Sequence, residues 1–283
     1  MQTSYGRELA SVITKSLFTI VTFLVVIVLT ISLLTVQFDD QAFISDGTCN
    51  IAVLPIEGVI LPYTGLEGFD LVITPEIVNA FMDAAEEDDN IDGVLIEINS
   101  PGGTPVASHR IAERLRSSSL PVVGLIGDIG ASGGYMVAAA SDFLIASPMS
   151  DVGGIGVNMS YVEQSAQNEE DGLEYVQLIT GKFKDIGSPD RPITDEEREL
   201  LQRDLDIIHN EFIDIVAEYR ELPREQVVAM ADGASTPGAR AVDLELIDAL
   251  GNRPEASVAL ASYTDQPIED ITFCEYDRGF LLF

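Results

Sequence analysis

The chain has 283 residues, 46% of them apolar, and sets 47 acidic side chains against 15 basic ones for a formal charge of −32. That balance excludes nucleic acid as a default partner, and the apolar content excludes a disordered chain. The length holds one large domain or two small ones, and an acidic, lysine-poor surface suits a protein working in high salt, where screening relieves self-repulsion.

The first element is the uncharged run from Leu17 to Val36, LFTIVTFLVVIVLTISLLTV. At 1.5 Å per residue a helix of this length spans about 30 Å, the thickness of the hydrocarbon core, so it reads as a transmembrane helix. No small-residue cleavage site follows before Gln37, Phe38, Asp39 and Asp40, which favours an uncleaved anchor over a signal peptide. Arg7 and Lys15 precede the span, while Asp39, Asp40 and Asp46 follow it. The positive-inside rule therefore puts residues 1–16 in the cytoplasm, 17–36 in the cell membrane as a single pass, and both a linker at 37–48 and a domain at 49–283 outside. Cys49 and Cys274 flank that domain. Outside the membrane a bridge between them is permitted, and two separate thiols are the alternative.

Within the domain, residues 49–60, CNIAVLPIEGVI, read as the first strand. Thr74 then caps a helix to about Glu87 with Pro75 at its first position and Ile77, Val78, Phe81 and Ala84 on one face. A β-branched strand follows at 91–100. Thr104 starts a helix carrying Val106, Ile111 and Leu115. Next come a strand at 121–127, a short alanine-rich helix from Ser132, a strand at 142–148 and the segment VGGIGVNM at 152–159. Residues 174–180, EYVQLIT, read as a further strand, leading into the loop GKFKDIGSPDRP. One long helix over 194–222 sets Leu201, Leu205, Ile208, Phe212, Ile215 and Val216 at helical spacing. Shorter helices at 224–232, 238–243 and 253–263 and a last strand at 271–277 complete the chain. Strands alternating with helices at this spacing predict a layered βαβ fold of the α/β class.

Chemistry concentrates at PVVGLIGDIGASGGYM, residues 121–136. An apolar run fit for a strand buried on both faces ends at Ser132, which is flanked by Gly130, Gly133 and Gly134. In parallel sheets reactive groups collect just beyond the strand's C-terminal end, and a helix starting there aims backbone N–H groups at developing negative charge. A small-residue turn packed on a neighbour explains the same letters. GASGG also fits the nucleophile elbow G-x-S-x-G, which demands a histidine base, yet His209 is the only histidine downstream and sits on the shoulder of an amphipathic helix. The other, His109, follows the Gly-Gly turn. A lysine replaces histidine when it is neutral, because burial disfavours the charged form and frees the amine to accept a hydroxyl proton. The whole chain has three lysines, and Lys182 and Lys184 share one loop.

Three blocks in order, INSPGG, GDIGASGGYMVAAASD and GKFKDIGSP, resemble the signal peptide peptidase A family of membrane-anchored Ser-Lys proteases. The likeness covers roughly residues 50–250. It implies a ClpP/crotonase-like fold, Ser132 as nucleophile and Lys184, in K-D-I, as its general base, with no role for Lys182. It also implies an oxyanion hole from Gly103, with Gly102 beside it, and the N–H of Gly133. Substrates would be apolar peptides such as cleaved signal peptides, and the assembly a homo-oligomer. No metal or cofactor is implied. One departure stands out: the family often has a serine that orients the lysine where this chain has Gly154, leaving that task to carbonyls, water or another hydroxyl such as Ser150 or Tyr135. A stomatin-cleaving protease of the same fold, a crotonase-like acyl-CoA enzyme and a non-enzymatic membrane scaffold are the competing readings.

Overall fold

The computed structural model describes residues 20–27, 44–45, 47–64 and 71–274. The chain divides into two units, 1–43 and 44–283. In the first, residues 20–27 form a helix, α1. Among the described residues no helix is long and apolar enough to cross a membrane, and most of the expected 17–36 span lies outside them.

The second unit is a layered α/β domain. Parallel strands run in the order β2 (Val72–Ile73), β1 (Ile51–Ile60), β3 (Gly93–Gly103), β4 (Val122–Ala131), β5 (Phe143–Ala146) and β8 (Ala249–Leu250). Strand β9 (Phe273–Cys274) pairs with β1, while β6 (Asp151–Gly153) pairs with β4 and, antiparallel, with β7 (Ser235–Pro237). Alternation splits the strands between two apolar layers. Leu54, Ile56, Ile96, Ile98 and Ile126 face helices α2 (Pro75–Glu87), α3 (Pro105–Arg116) and α4 (Gly133–Ala139). Val53, Leu95, Val123 and Ile145 face Ala256 and Leu260 of α9 (Arg253–Tyr263). Each central strand thus has both faces covered, which accounts for its continuous apolar sequence. Cys49 and Cys274 form a disulfide that ties the start of β1 to β9.

Most expected elements form, some with moved boundaries. Strand β3 reaches Gly103 and β4 reaches Ala131, because each continues past its β5-side or β1-side core into glycine-rich pairing near the site. Residues 123–126 of β4 pair with β5, and residues 129–131 pair instead with β6. Helix α6 (Asp195–Tyr219) opens with a capping box between Thr194 and Glu197 and stops short of 222. Its apolar stripe is buried only in the second half, at Phe212, Ile213 and Val216, while Ile208 is exposed. Val106 is exposed as well, leaving Ile111 and Leu115 to dock α3.

The expected strand at 174–180 does not form. Residues 157–193 instead make an arm that contains the short helix α5 (Ser165–Glu170), and 174–180 join no ladder and lie exposed. The arm's two legs are joined by polar bonds: Gln164 N donates to the Pro189 carbonyl at 2.8 Å, and Asn168 Nδ2 to Asp190 at 3.0 Å. The remaining helices are α7 (Arg224–Met230) and α8 (Gly238–Ala241).

Candidate active site

Ser132 stands between the last residue of β4 and the first of α4, with φ 52° and ψ −127°. A positive φ is rare for a residue with a side chain and costs on the order of 1–3 kcal/mol, so its neighbours must hold it there. Its N–H donates to the Gly153 carbonyl at 2.7 Å, and its own carbonyl accepts from Met136 N at 3.0 Å, the first bond of α4. One bond fixes the strand side and the other the helix side.

The glycines crowd this point for steric reasons. Gly102 has φ +97°, and a Cβ placed on it would meet Gly133 N at 2.6 Å and Ser132 Cβ at 3.0 Å. A Cβ on Gly103 would lie 1.9 Å from the Ile60 carbonyl oxygen, and one on Gly133 would lie 3.2 Å from Gly103 N. The structure therefore brings together Gly102, Gly103, Ser132 and Gly133. The Gly133 N–H opens α4 and donates to no acceptor among the described residues, as expected of a first-turn amide. Ser100 holds the SPGG turn: its hydroxyl donates to the Gly58 carbonyl at 2.7 Å and accepts from Gly102 N at 3.1 Å. Asn99 braces the other strand by accepting from Asp128 N at 2.7 Å. Sequence reasoning read this run for its glycines and missed Asn99 and Ser100, although the N-S-P-G-G string carries both.

Gly154 lies on the same side, where a Cβ would stand 3.3 Å from Ser132 N, and its φ of +63° favours glycine. Neither hydroxyl considered as its replacement is free. Ser150 donates to the Gly127 carbonyl, and the wholly buried Tyr135 donates to the Leu246 carbonyl at 2.8 Å, with burial raising its phenol above the usual range. Both serve the core, so neither is available to orient an amine.

The two lysines differ. Lys182 pairs with Glu196 and lies over the Phe183 ring at 5.1 Å. Lys184 is exposed, and its amine makes no hydrogen bond or ion pair among the described residues, none to Ser132 included. The loop beneath it is nonetheless well held. Arg191 donates from Nε to Asp185 Oδ2 at 2.9 Å, from Nη2 to the Asp185 carbonyl at 2.9 Å, and to both carboxylate oxygens of Glu197 at 2.9 and 2.5 Å. Tyr175 and Gln177 donate to the Asp185 carboxylate. Arg191, followed by the Thr194 amide, holds the Glu197 carboxyl down at about 2, and Arg191 likewise lowers that of Asp185. No motif flagged Arg191.

The histidines stand apart from this arrangement. His209 Nε2 is buried with no hydrogen-bond partner among the described residues, and His109 lies on the surface 3.8 Å from Glu113. Among the described residues no group of three His, Cys, Asp or Glu side chains is placed to hold a metal.

The description "Peptidase family S49" belongs to a sequence profile that matches residues 114–266, more than half of the chain. The chain belongs to peptidase family S49. The matched region includes Ser132, Gly133 and Lys184, while Gly102 and Gly103 precede it. Among S49-like relatives, a Methanocaldococcus jannaschii protein named as a protease is 37% identical over 177 residues, 62% of this chain and 57% of that one. An Enterococcus faecium protein named as a signal peptide peptidase is 31% identical over 194 residues, 68% and 56% of the two chains. Protease 4 of Haemophilus influenzae is 27% identical over 215 residues, 73% and 33% of the two. The S49 chain thus spans little more than half the length of the first two relatives.

Proposed function

We propose that this S49 chain is a membrane-anchored serine endopeptidase in which Ser132 is the nucleophile and Lys184 the general base. The observation that carries the reading is the setting of Ser132: a side chain held at positive φ where a strand becomes a helix, against the bare backbones of Gly102, Gly103 and Gly133. Substrates are apolar peptides, such as cleaved signal peptides, that reach the outer face of the cell membrane, where residues 17–36 tether the domain.

In the reaction, Ser132 Oγ attacks the scissile carbonyl carbon while its proton passes to the neutral Lys184 amine. The carbonyl oxygen becomes an oxyanion facing the Gly103 and Gly133 N–H groups, where preorganised donors stabilise charge that develops only in the transition state. Collapse breaks the C–N bond, the lysine ammonium gives its proton to the leaving amine, and water then hydrolyses the acyl-Ser132 ester by the reverse proton path.

Lys184 reaches Ser132 by assembly. The arm that carries it exposes Val162, Val176 and Leu178, apolar side chains that a partner surface would cover. A homo-oligomer that packs this arm against a second copy would bring the amine of one chain to the hydroxyl of another and dry it, which favours the neutral base.

The test is turnover of an apolar fluorogenic peptide by the full chain. Ser132→Ala and Lys184→Ala each lose activity by at least about 10³-fold, whereas His209→Gln stays near wild type. Mixed and reassembled, the two inactive variants regain activity, because sites form that contain one intact serine and one intact lysine. Loss of activity in His209→Gln with retention in Lys184→Ala would replace the lysine reading with a histidine base.

A further inference from the structure

A cavity of about 290 Å3 opens at β6, the strand that pairs with the end of β4 just before Ser132. One wall is the backbone of Gly153 and Gly154, and Gly153 is the residue whose carbonyl accepts the Ser132 N–H. In register, Ala131 of β4 pairs with Gly153 of β6, and Gly153 with Ser235 of β7, so the cavity and the nucleophile share one narrow piece of sheet. The floor is apolar: Ile155 and Leu246 are buried and Met230 is half-buried. The volume suits one medium-sized amino-acid residue with its backbone.

The rim carries a cation with no counterion among the described residues. Seven of the ten described arginines pair with carboxylates, in a chain with three times as many acids as bases. Arg240 lines the cavity, is exposed, and has no hydrogen-bond or ion-pair partner among the described residues. The acid on the same rim, Asp232, accepts from Ala234 N at 2.9 Å within its own turn and does not pair with Arg240. A guanidinium presents its donors in a planar fork that matches a carboxylate, and the apolar floor beside it suits an aliphatic side chain.

We propose that this cavity binds the free C-terminal residue of a peptide, its carboxylate on Arg240 and its apolar side chain over Met230 and Leu246. None of the proposed bond-breaking groups lines the cavity, and Gly153 joins it to Ser132, so the site would anchor a peptide end beside the nucleophile.

The experiment uses the full chain in detergent with Ser132→Ala, so no turnover is needed and the result does not depend on which residue is the base. N-acetyl-leucine and N-acetyl-leucinamide, identical except for the carboxylate, are titrated and followed by calorimetry. The expected result is binding of the acid at least about tenfold tighter than the amide, a ratio that Arg240→Gln abolishes and Arg240→Lys partly restores. Met230→Trp, which fills the floor, weakens the acid and leaves the melting temperature near that of the parent. Equal binding of acid and amide, no binding of either, or a preference for the acid that survives Arg240→Gln would overturn the proposal.

Discussion

At Ser132, the proposed nucleophile, the backbone carries a conformational cost, and the cost is measurable. Glycine adopts φ 52° freely whereas alanine does not. Ser132→Gly is therefore expected to unfold about 1 kcal/mol later than Ser132→Ala, with both inactive, as read by denaturant titration. Gly103→Ala fails differently. Its Cβ would meet the Ile60 carbonyl, so β1 and β3 must separate at the SPGG turn, and activity falls along with stability. These two positions also show how far the residues could be read in advance. The glycine-flanked serine and the paired glycines were legible because only bare backbone permits such close approach. Asn99, Ser100 and Arg191 were not: Asn99 and Ser100 each act through a hydrogen bond to a distant backbone group, and Arg191 through a local clamp on Asp185 and Glu197 that no letter pattern marks.

Among the elements, the strands of the core were the most legible, since burial on both faces leaves an unbroken apolar run. The strand expected at 174–180 shows the limit. Tyr175, Val176, Leu178 and Ile179 have the composition of a strand, but among the described residues none pairs with them in a ladder. The same applies to the middle of α6, where Ile208 has the spacing of a buried face yet meets solvent. In both places the proposed assembly would cover the apolar side chains. The lysine loop gives a sharper prediction. Its clamp joins Arg191 to Asp185 and Glu197, and the Glu197 carboxyl is held at about 2. A depressed carboxylate contributes fully above its unfolded value and loses that contribution as pH falls through the folded one. Amide exchange across residues 181–190 should thus stay slow on acidification to about pH 4, near the ordinary glutamate value, and quicken only below it. Arg191→Gln removes the protection at neutral pH and lowers peptidase activity, whereas the melting temperature of the domain changes little.

For the whole molecule, a charge of −32 makes self-repulsion a property of the fold as a unit. The screening length falls from about 10 Å at 0.1 M salt to about 3 Å at 1 M, so the melting temperature should climb steadily between those concentrations. A flat response would remove the high-salt reading. The Cys49–Cys274 bridge acts at the same scale, closing nearly the entire domain into one loop. Replacing both cysteines by serine should cost about 2–5 kcal/mol, visible as a lower thermal midpoint under oxidising conditions. The layered architecture itself was readable from alternating strands and helices, but whether the cysteines pair was not, because spacing alone does not bring two chain ends together. All of this organisation converges on one hydroxyl at the end of β4. The most direct test is to trap the acyl-enzyme with an activated ester of an apolar N-acyl amino acid and map the modified peptide by mass spectrometry. The expected result is a single acyl group on Ser132 that forms at least about 10²-fold more slowly in Lys184→Ala and at the wild-type rate in His209→Gln. Acylation at another residue, or acylation of Ser132 at the same rate without Lys184, would contradict it.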